Sequence, residues 1–336
     1  MPSKQQHKRE KAARRRGLRK NKSGRYPLEK SPLWRQQSLH KLAELLGTTP
    51  EELAGIAAAP TYNEFVDKPN TPKARDVQEP LGATMHLHYS LVQLLDRVQR
   101  PAFLHSATKK RSYITNAEAH RAGHAIVQTD IRKFYENTTY AHVKRFFFKD
   151  LGWPHDMAKL VAKACTVHGH LPTGSCISPL LSYFVHRVMF AGIEELCLRA
   201  GVAMTLYVDD LTLSGIHATS SLLHQVKARI QRFDLTTHKE KYVAPGNVGV
   251  VTGVALDNGQ LHLRNEQHKA LVEVIDLIHA GDTTLMNTLR GKLAAAQAVE
   301  PAAAAGLIER YKRQAPGGCA PPLEKAPTPT KPQVPQ

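Results

Sequence analysis

The feature that most constrains this sequence is a pair of adjacent acids between two apolar, β-type segments. Only Asp209 and Asp210 separate Val202–Val208 from Leu211–Ser214, a spacing that predicts a β-hairpin with both carboxylates in its turn. Adjacent carboxylates repel each other and are costly to remove from water unless a cation neutralises them. Asp is also a preferred residue of ordinary solvated turns, so the pair alone does not establish a cation site.

A third acid follows an earlier predicted strand. Ala125–Val127 predicts a short buried strand that ends at Asp130, although Asp130 by itself could be a strand-end or capping residue. Two predicted helices, Tyr140–Phe148 and Met157–Cys165, precede the hairpin, and a helix at Leu222–Phe233 follows it. This order is typical of a split βαβ domain, in which the first strand would lie beside the hairpin and the three acids would gather.

The chemistry of the three acids favours a particular metal. Carboxylates without His or Cys neighbours favour Mg²⁺ over zinc. Two such ions about 3.5–4 Å apart can activate an attacking hydroxyl group and stabilise the oxygen that leaves phosphorus. Asp130, Asp209 and Asp210 are therefore candidate ligands of two Mg²⁺ ions.

The remaining predicted elements are mainly helical. The predicted helices are a pair, one at 39–46 and one that begins at Pro50, then Leu87–Val98, a long helix from Ser178 to Gly201, and helices from Gln267 to about Tyr311. A predicted strand at Val248–Leu256 is joined to a second, Gln260–Leu263, by a type I′ turn at Asp257–Gly259. The first pair could be a DNA-binding helix-turn-helix. Neither helix is rich in base-reading polar residues, which favours a packing element.

The net charge of +17 indicates a polyanionic partner. The first 25 residues hold eleven Lys and Arg residues against one acid, Glu10, which predicts a mobile arm that binds nucleic-acid phosphates, with a solubilising tail as the alternative. Ala315–Gln336 contains seven prolines and is predicted to be disordered. The folded part is expected at about 31–314.

The composition also bears on the compartment. No stretch approaches the ~18 uncharged apolar residues of a membrane span, and no apolar signal region is visible. The four cysteines, Cys165, Cys176, Cys197 and Cys319, are widely spaced without a C-x-x-C pair, so neither a zinc knuckle nor a disulfide framework is expected. We expect a cytoplasmic protein without a membrane partner.

Three motifs resemble those of reverse transcriptases, in the same order. Tyr207–Asp210 matches their Y-x-D-D signature, Thr129–Tyr135 matches their first palm motif, and Leu171–Pro179 resembles their L-P-Q-G-x-x-x-S-P loop. Asn116–His120 is similar to the N-A-x-x-H motif of retron reverse transcriptases, and Val251–Gly253 to their V-T-G motif. The resemblance covers about residues 35–312 and favours the retron branch over group II intron, diversity-generating and retroviral enzymes.

The resemblance implies an α+β right-hand polymerase fold. The expected parts are a basic disordered arm (1–30), N-terminal helices and fingers (31–125), a split-βαβ palm (126–264) that includes a fingers loop (166–178), a helical thumb (265–314) and a Pro-rich disordered tail (315–336).

The resemblance also implies roles for single residues. Asp130, Asp209 and Asp210, with the Ile131 carbonyl, match the metal ligands, and Lys241 matches a lysine near the pyrophosphate, with Lys239 as an alternative. The residues expected to bind the dNTP are Arg75 at the triphosphate, Tyr135 as a steric gate against a 2′-OH, and Phe134, Thr173 and Gly174. The candidates for RNA contact are Asn116, His120, Val251, Thr252, Gly253, Arg290, Lys292 and Arg313. His120 could equally be a structural histidine.

Two positions depart from the family pattern. Thr173 stands where the loop glutamine beside the incoming nucleotide is expected, and Val208 replaces the common alanine of the Y-x-D-D turn. The first departure puts the family's sugar contacts at that position in doubt.

The implied function is RNA-directed DNA synthesis. A retron enzyme copies part of its own structured non-coding RNA into a branched RNA–DNA molecule, msDNA, and the resemblance implies a role in phage defence with a separate effector protein. The alternatives are another reverse transcriptase lineage, a palm-fold RNA polymerase, and a non-catalytic RNA-binding protein on a palm fold.

Overall fold

The computed structural model describes residues 25–72 and 74–313. Most of the predicted basic arm and the predicted Pro-rich tail, with Cys319, lie outside the described residues, as does Lys73. The predictions made for these segments stay predictions.

The described residues form a mixed helical and stranded fold. The α-helices are α1 (Leu39–Leu46), α2 (Pro50–Ala58), α3 (Gly82–Leu95), α4 (Tyr113–Glu118), α5 (Phe134–Asn137), α6 (Tyr140–Arg145), α7 (His155–Ala164), α8 (Ser178–Val185), α9 (Arg187–Arg199), α10 (Ser220–Gln231), α11 (Asn265–His279), α12 (Met286–Val299) and α13 (Pro301–Arg313). A π-helical turn at Phe146–Asp150 follows α6, and short 3₁₀ turns occur at Leu28–Lys30 and Thr283–Leu285.

The strands form three sheets. They are β1 (Tyr62–Asp67), β2 (Arg75–Pro80), β3 (Ile126–Ile131), β4 (Ala203–Tyr207), β5 (Asp210–Ser214), β6 (Thr237–Val243), β7 (Gly249–Val251), β8 (Val254–Asp257) and β9 (Gln260–His262). The strand orders are β1-β2, β4-β5-β3-β6 and β7-β8-β9.

Two compact units divide the chain. Of the described residues, unit 1 comprises 25–72, 74–109, Asp130–Glu195 and Gln225–His238, and unit 2 comprises Lys110–Thr129, Leu196–His224 and 239–313. The division into fingers, palm and thumb stays a prediction.

The two N-terminal helices of unit 1 are set by local capping. The Ser38 hydroxyl accepts a hydrogen bond from the Lys41 N–H group at 3.3 Å, and α1 ends at Gly47 with a φ of 71°. Thr49 and Glu52 then form a reciprocal capping box at the start of α2. The predicted helix pair is confirmed.

The predicted long helix from Ser178 to Gly201 is wrong, because it is broken at His186. The residue is 1% exposed, and its backbone leaves the helical conformation with φ −104° and ψ 14°. Its Nε2–H group donates a hydrogen bond of 3.2 Å to the hydroxyl group of Thr138, a residue outside this helix. The Ser178 hydroxyl donates to the Pro172 carbonyl instead of capping the helix. Tertiary hydrogen bonds therefore override the local helical pattern.

The predicted acidic hairpin exists, with its turn shifted by one residue. Tyr207 pairs with Asp210 across the two antiparallel strands, so the turn residues are Val208 and Asp209. Asp210 is the first residue of β5. Val208 has a φ of 62°.

The predicted single strand Val248–Leu256 is wrong, because it folds back on itself. Val251 pairs with Val254, and the turn residues between them have positive φ, 44° at Thr252 and 83° at Gly253. The next turn, Asn258 and Gly259, also has positive φ at both positions, as a type I′ hairpin turn requires. The V-T-G motif therefore makes a hairpin turn.

Each unit has an apolar core. In unit 1 the Phe147 ring stacks on Trp153, with centroids 4.7 Å apart, and both are buried. In unit 2 the helices α11, α12 and α13 pack around Leu271, Ile275, Leu289, Leu293 and Tyr311. A second cluster joins α4 to the β7-β8-β9 sheet. No helix within residues 25–72 and 74–313 has the length and apolar character needed to cross a membrane.

Candidate functional site

Asp130 lies in unit 1, next to the last residue of β3. Its side chain is 24% exposed. The Nδ1 atom of His238 lies 3.3 Å from its Oδ1 atom and 3.3 Å from its carbonyl oxygen. The neighbouring Ile131 side chain is fully buried. A half-buried carboxylate held beside an imidazole is therefore fixed in orientation while keeping contact with solvent.

Asp209 and Asp210 lie in unit 2, at the turn of the β4–β5 hairpin, and both are half-buried. The left-handed backbone of Val208 is a genuine outlier for a β-branched residue and costs about 1–3 kcal/mol. Such strain is characteristic of functional turns, where the surrounding structure imposes it. The strands on either side therefore hold the two acids in a turn that their own sequence does not favour.

The donor chemistry of this turn suits a hard cation. Two adjacent half-buried carboxylates offer only oxygen ligands, which Mg²⁺ prefers. Within the part of the chain that the structure describes, no group of three His, Cys, Asp or Glu side chains is placed to hold a metal ion. The binding of Mg²⁺ by Asp130, Asp209 and Asp210 together stays a prediction.

Arg75 lies at the first position of β2 in unit 1. It pairs with Asp67 across the β1–β2 hairpin, with Nε 3.3 Å from Oδ2. The Arg75 side chain is 66% exposed, and an exposed ion pair contributes at most about 1 kcal/mol. The guanidinium group can therefore leave this pair for a more highly charged anion at little cost.

The segment Leu171–Gly174 of unit 1, here called the L-P-x-G loop, packs on β2. The Thr173 hydroxyl donates to the Asp76 carbonyl at 2.7 Å, and its N–H group donates to the Gln78 side-chain oxygen at 3.2 Å. The Gly174 N–H group donates to the Gln78 carbonyl at 3.2 Å. A Cβ atom at Gly174 would lie 2.8 Å from the Val77 side chain. Glycine is therefore required there for the close approach.

The other side of the loop is fixed by a buried histidine. The Nε2 atom of His88 lies 2.9 Å from the Ala164 carbonyl, so it carries the proton and donates. The Nδ1 atom then accepts from the Ser175 hydroxyl at 2.7 Å. Burial lowers the pKa of His88 to about 4, so the ring is neutral near pH 7 and its tautomer is fixed.

The predicted gate residue Tyr135 lies on the one-turn helix α5. Tyr135 is half-buried, whereas the neighbouring Phe134 is 3% exposed and packs against Phe190. The Thr138 hydroxyl donates to the Phe134 carbonyl at 2.7 Å and so must accept from His186. Burial, with positive neighbours as smaller causes, lowers the pKa of His186 to about 3. A neutral histidine, bonded through Nε2, therefore holds the turn that carries Tyr135.

The loop and the Tyr135 turn are joined directly. The Leu171 N–H group donates to the Thr138 carbonyl at 3.1 Å. Of the predicted nucleotide-binding residues, Thr173 and Gly174 thus belong to one continuous network with Phe134 and Tyr135 in unit 1. The side chain of Phe134 is core, and its contribution to this network is its carbonyl group.

Lys241 lies in unit 2 on β6 and is exposed. Lys239, the alternative, is also exposed and has a φ of 55°, which interrupts the regular strand backbone. The roles of Lys241 and Lys239 at the leaving pyrophosphate stay predictions.

The two retron-type motifs are brought together inside unit 2. Asn116 Nδ2 donates to the Thr252 hydroxyl, which donates to the Tyr113 carbonyl at 2.8 Å. The ring nitrogens of His120 lie 2.6 Å from the Ser214 hydroxyl and 2.7 Å from the Thr205 hydroxyl. Asn116, His120 and Val251 are at most 2% exposed. Their side chains are used inside the unit, so RNA contact by them stays a prediction that the placement does not favour.

The basic residues of the C-terminal helices are differently placed. Arg290 donates to the Asn287 side-chain oxygen at 3.3 Å, and Lys292 is half-buried on the same helix. Arg313, whose side chain is 76% exposed, lies 3.7 Å from Glu309. Arg313 is therefore the most accessible of the three to a phosphate.

Comparison with known proteins gives a consistent group of relatives. No protein-family model matches the chain. It is 24% identical over 216 residues to the retron Se72 reverse transcriptase of Salmonella heidelberg, covering 61% of this chain and 56% of that protein. It is 26% identical over 211 residues to the retron Ec86 reverse transcriptase of Escherichia coli, covering 60% and 64%. The retron Mx65 reverse transcriptase of Myxococcus xanthus is 27% identical over 191 residues, covering 50% and 44%.

Retron reverse transcriptases are homologues of this chain. The matched region spans only a little over half the length of the first of these relatives. Among solved structures, an apo telomerase from Candida tropicalis, truncated from its C-terminal domain, aligns with a TM-score of 0.45 and 11% identity, covering 61% of this chain and 55% of that one.

Sequence reasoning from the retron motifs missed three residues that organise the candidate site. His238 contacts Asp130, His186 supports the Tyr135 turn, and Gln78 receives the Thr173 loop. His238 could have been suspected from its place next to Lys239. No sequence pattern connects Gln78 with Thr173, because their separation of 95 residues is closed only by the fold.

Proposed function

We propose that this chain is a retron-type RNA-directed DNA polymerase with a right-hand fold. It would copy part of its own structured non-coding RNA into msDNA. The observation that carries the proposal is the Y-x-D-D sequence at the β4–β5 hairpin turn of unit 2, where Val208 has a strained, left-handed backbone. Homology to retron reverse transcriptases supports it.

The proposed metal ligands are Asp130, Asp209, Asp210 and the carbonyl group of Ile131. When bound, two Mg²⁺ ions would neutralise charge on the attacking and leaving oxygens of the phosphoryl transfer. The protein's own contribution is the fixed orientation of the acids, by His238 beside Asp130 and by the strained turn at Val208.

The nucleotide would bind mainly to residues of unit 1. Arg75 can exchange its exposed partner Asp67 for a triphosphate, and its fork of donors suits phosphate oxygens. Tyr135 would lie against the sugar and exclude a 2′-OH, held by the hydrogen bonds of Thr138. Lys241, or Lys239 in its place, would stabilise the departing pyrophosphate as a general acid or as a point charge.

The proposed partners follow from charge and family. A structured RNA and its cDNA would be held by the basic arm through counterion release, together with Arg290, Lys292 and Arg313. The priming group would be the 2′-OH of a guanosine in that RNA. A separate effector protein, a role in phage defence and a cytoplasmic location complete the proposal.

Primer extension with Mg²⁺ tests the catalytic part. The wild type should extend an RNA-templated primer with dNTPs, and the double variant Asp209→Ala, Asp210→Ala should lose at least about 10³-fold in rate, because the charge-stabilising ions lose their ligands. Asp156→Ala is the matched control, since that carboxylate is 95% exposed and distant in sequence. Equal failure of wild type and double variant would favour a non-catalytic RNA-binding protein.

The bound nucleic acid tests the retron part. We expect protein purified from its host to carry a branched species that RNase shortens and DNase degrades. A linear cDNA product without a branch would instead indicate another reverse transcriptase lineage.

A further inference from the structure

Gln78 is a buried polar residue on β2 that faces the L-P-x-G loop of unit 1. It is 6% exposed. Its side-chain oxygen lies 3.2 Å from the Thr173 N–H nitrogen and 3.2 Å from the Thr173 hydroxyl oxygen, and its carbonyl accepts from Gly174 at 3.2 Å. The residue therefore meets the loop through both its backbone and its side chain.

The orientation of the Gln78 carboxamide is fixed by chemistry. A backbone N–H group can only donate, so the atom of Gln78 facing the Thr173 nitrogen must be the oxygen. The amide nitrogen consequently points away from Thr173. No described residue accepts a hydrogen bond from this nitrogen, because every hydrogen bond that the Gln78 side chain makes within residues 25–72 and 74–313 goes through its oxygen.

The Gln78 amide nitrogen is not one of the fully enclosed side-chain atoms that lack a hydrogen-bond partner, so its two donors reach the solvent, where water or a ligand can accept from them. The surroundings favour a nucleotide as that ligand. The strand that carries Gln78 begins with Arg75, and the loop it holds is bonded through Leu171 to the turn of Tyr135. A neutral donor pair between these two elements suits a sugar or phosphate oxygen of a nucleotide.

We propose that Gln78 is a nucleotide-binding residue that supplies, from β2, the carboxamide that reverse transcriptases carry in the loop at the position of Thr173. The inference rests on the proposed polymerase function. Thr173 takes the structural part of the task by fixing the Gln78 oxygen through its N–H group, while its hydroxyl group donates to the Asp76 carbonyl. The amide nitrogen of Gln78 donates to an oxygen of the incoming dNTP.

Steady-state kinetics of dNTP incorporation separate binding from loop support. Gln78→Glu keeps an acceptor for Thr173 but removes the donors, and we expect the KM for dNTP to rise by about tenfold or more with kcat changed by less than about threefold. Glu79→Gln is the matched control, because it makes the reverse exchange at the exposed neighbouring position of β2 and leaves the Gln78 donors. Its KM should stay within about threefold of the wild type.

Exchanging the residues at positions 78 and 173 separates a lost nucleotide contact from a folding defect. In the double variant Gln78→Thr, Thr173→Gln the carboxamide returns to the loop, and KM should recover to within about threefold of the wild type, whereas Gln78→Thr alone should be impaired by about tenfold. Thermal melting of each variant identifies any that fail to fold.

The outcomes distinguish the two proposals. If the wild type extends primers and Gln78→Glu has an unchanged KM, the Gln78 inference is overturned while the polymerase function stands. If the exchange variant is no better than Gln78→Thr alone, a purely structural role for Gln78 is established and the inference is likewise lost. If the wild type incorporates no dNTP on any primed RNA, both proposals fail.

Discussion

Asn116 and Thr252, 136 residues apart in the sequence, are joined by a hydrogen bond of 3.4 Å inside unit 2. The Thr252 hydroxyl donates its only proton to the Tyr113 carbonyl, so it must accept from the Asn116 amide. This pairing ties the N-A-x-x-H segment to the V-T-G turn. Two motifs that resemble those of retron enzymes thus act together as a structural unit.

We expect Thr252→Val to lower the free energy of unfolding by about 1–3 kcal/mol. The change leaves the buried Asn116 amide without its acceptor, and a buried unsatisfied donor costs about that much. Urea denaturation measures the effect. Thr283→Val, at an exposed position, should change stability by less than about 0.5 kcal/mol. A normal stability of Thr252→Val combined with a loss of RNA affinity would instead establish a direct RNA contact.

Replacing Val208 by glycine is expected to stabilise the protein, which is unusual for a substitution to glycine. Its φ of 62° is strained for a β-branched residue, so Val208→Gly should raise the free energy of unfolding by about 1 kcal/mol despite the greater entropy of glycine. Val66→Gly, in β1 and 47% exposed, should be destabilising by about 0.5–1 kcal/mol. Chemical denaturation measures the free energy of unfolding of both variants. A Val208→Gly variant less stable than the wild type would contradict the proposal that the backbone is strained at Val208.

Tyr135 is expected to control sugar selection. Tyr135→Ala removes the ring that would meet a 2′-OH, so incorporation of ribonucleotides relative to deoxyribonucleotides should rise by about tenfold or more. Tyr89→Ala, at a residue that is 50% exposed on α3, is the matched control and should leave the ratio unchanged. Competition between rNTP and dNTP in primer extension gives the ratio. An unchanged ratio in the Tyr135 variant would favour a palm-fold RNA polymerase.

His88, the buried histidine on α3 that contacts Ser175, is expected to make the stability of the protein depend on pH. Burial lowers the pKa of His88 to about 4 from 6.5, so the unfolded chain binds a proton at a higher pH than the folded chain. The contribution of His88 is therefore fully present above pH 6.5 and is lost as the pH falls from 6.5 towards 4. Urea denaturation between pH 7 and 4 should show a smaller loss in His88→Gln, whose amide can replace both hydrogen bonds. Identical slopes in the two proteins would contradict this assignment.

The sequence by itself determined the elements with strong local signals. The helix that begins at Pro50, the Asn258–Gly259 turn and the acidic hairpin were predicted from residues within a few positions of one another. Such features depend on local hydrogen bonds and backbone preferences, which the sequence carries directly. The order of the Y-x-D-D, palm and loop motifs also pointed to the family before any comparison.

Only the tertiary structure decided the rest. It broke the predicted long helix at His186, a buried residue whose ring is hydrogen-bonded to the distant Thr138. It moved the hairpin turn onto Val208, and it placed Gln78 against a loop that lies 95 residues away in sequence. These outcomes depend on contacts between distant segments, whose energies exist only after the chain has folded, so no local pattern could have predicted them.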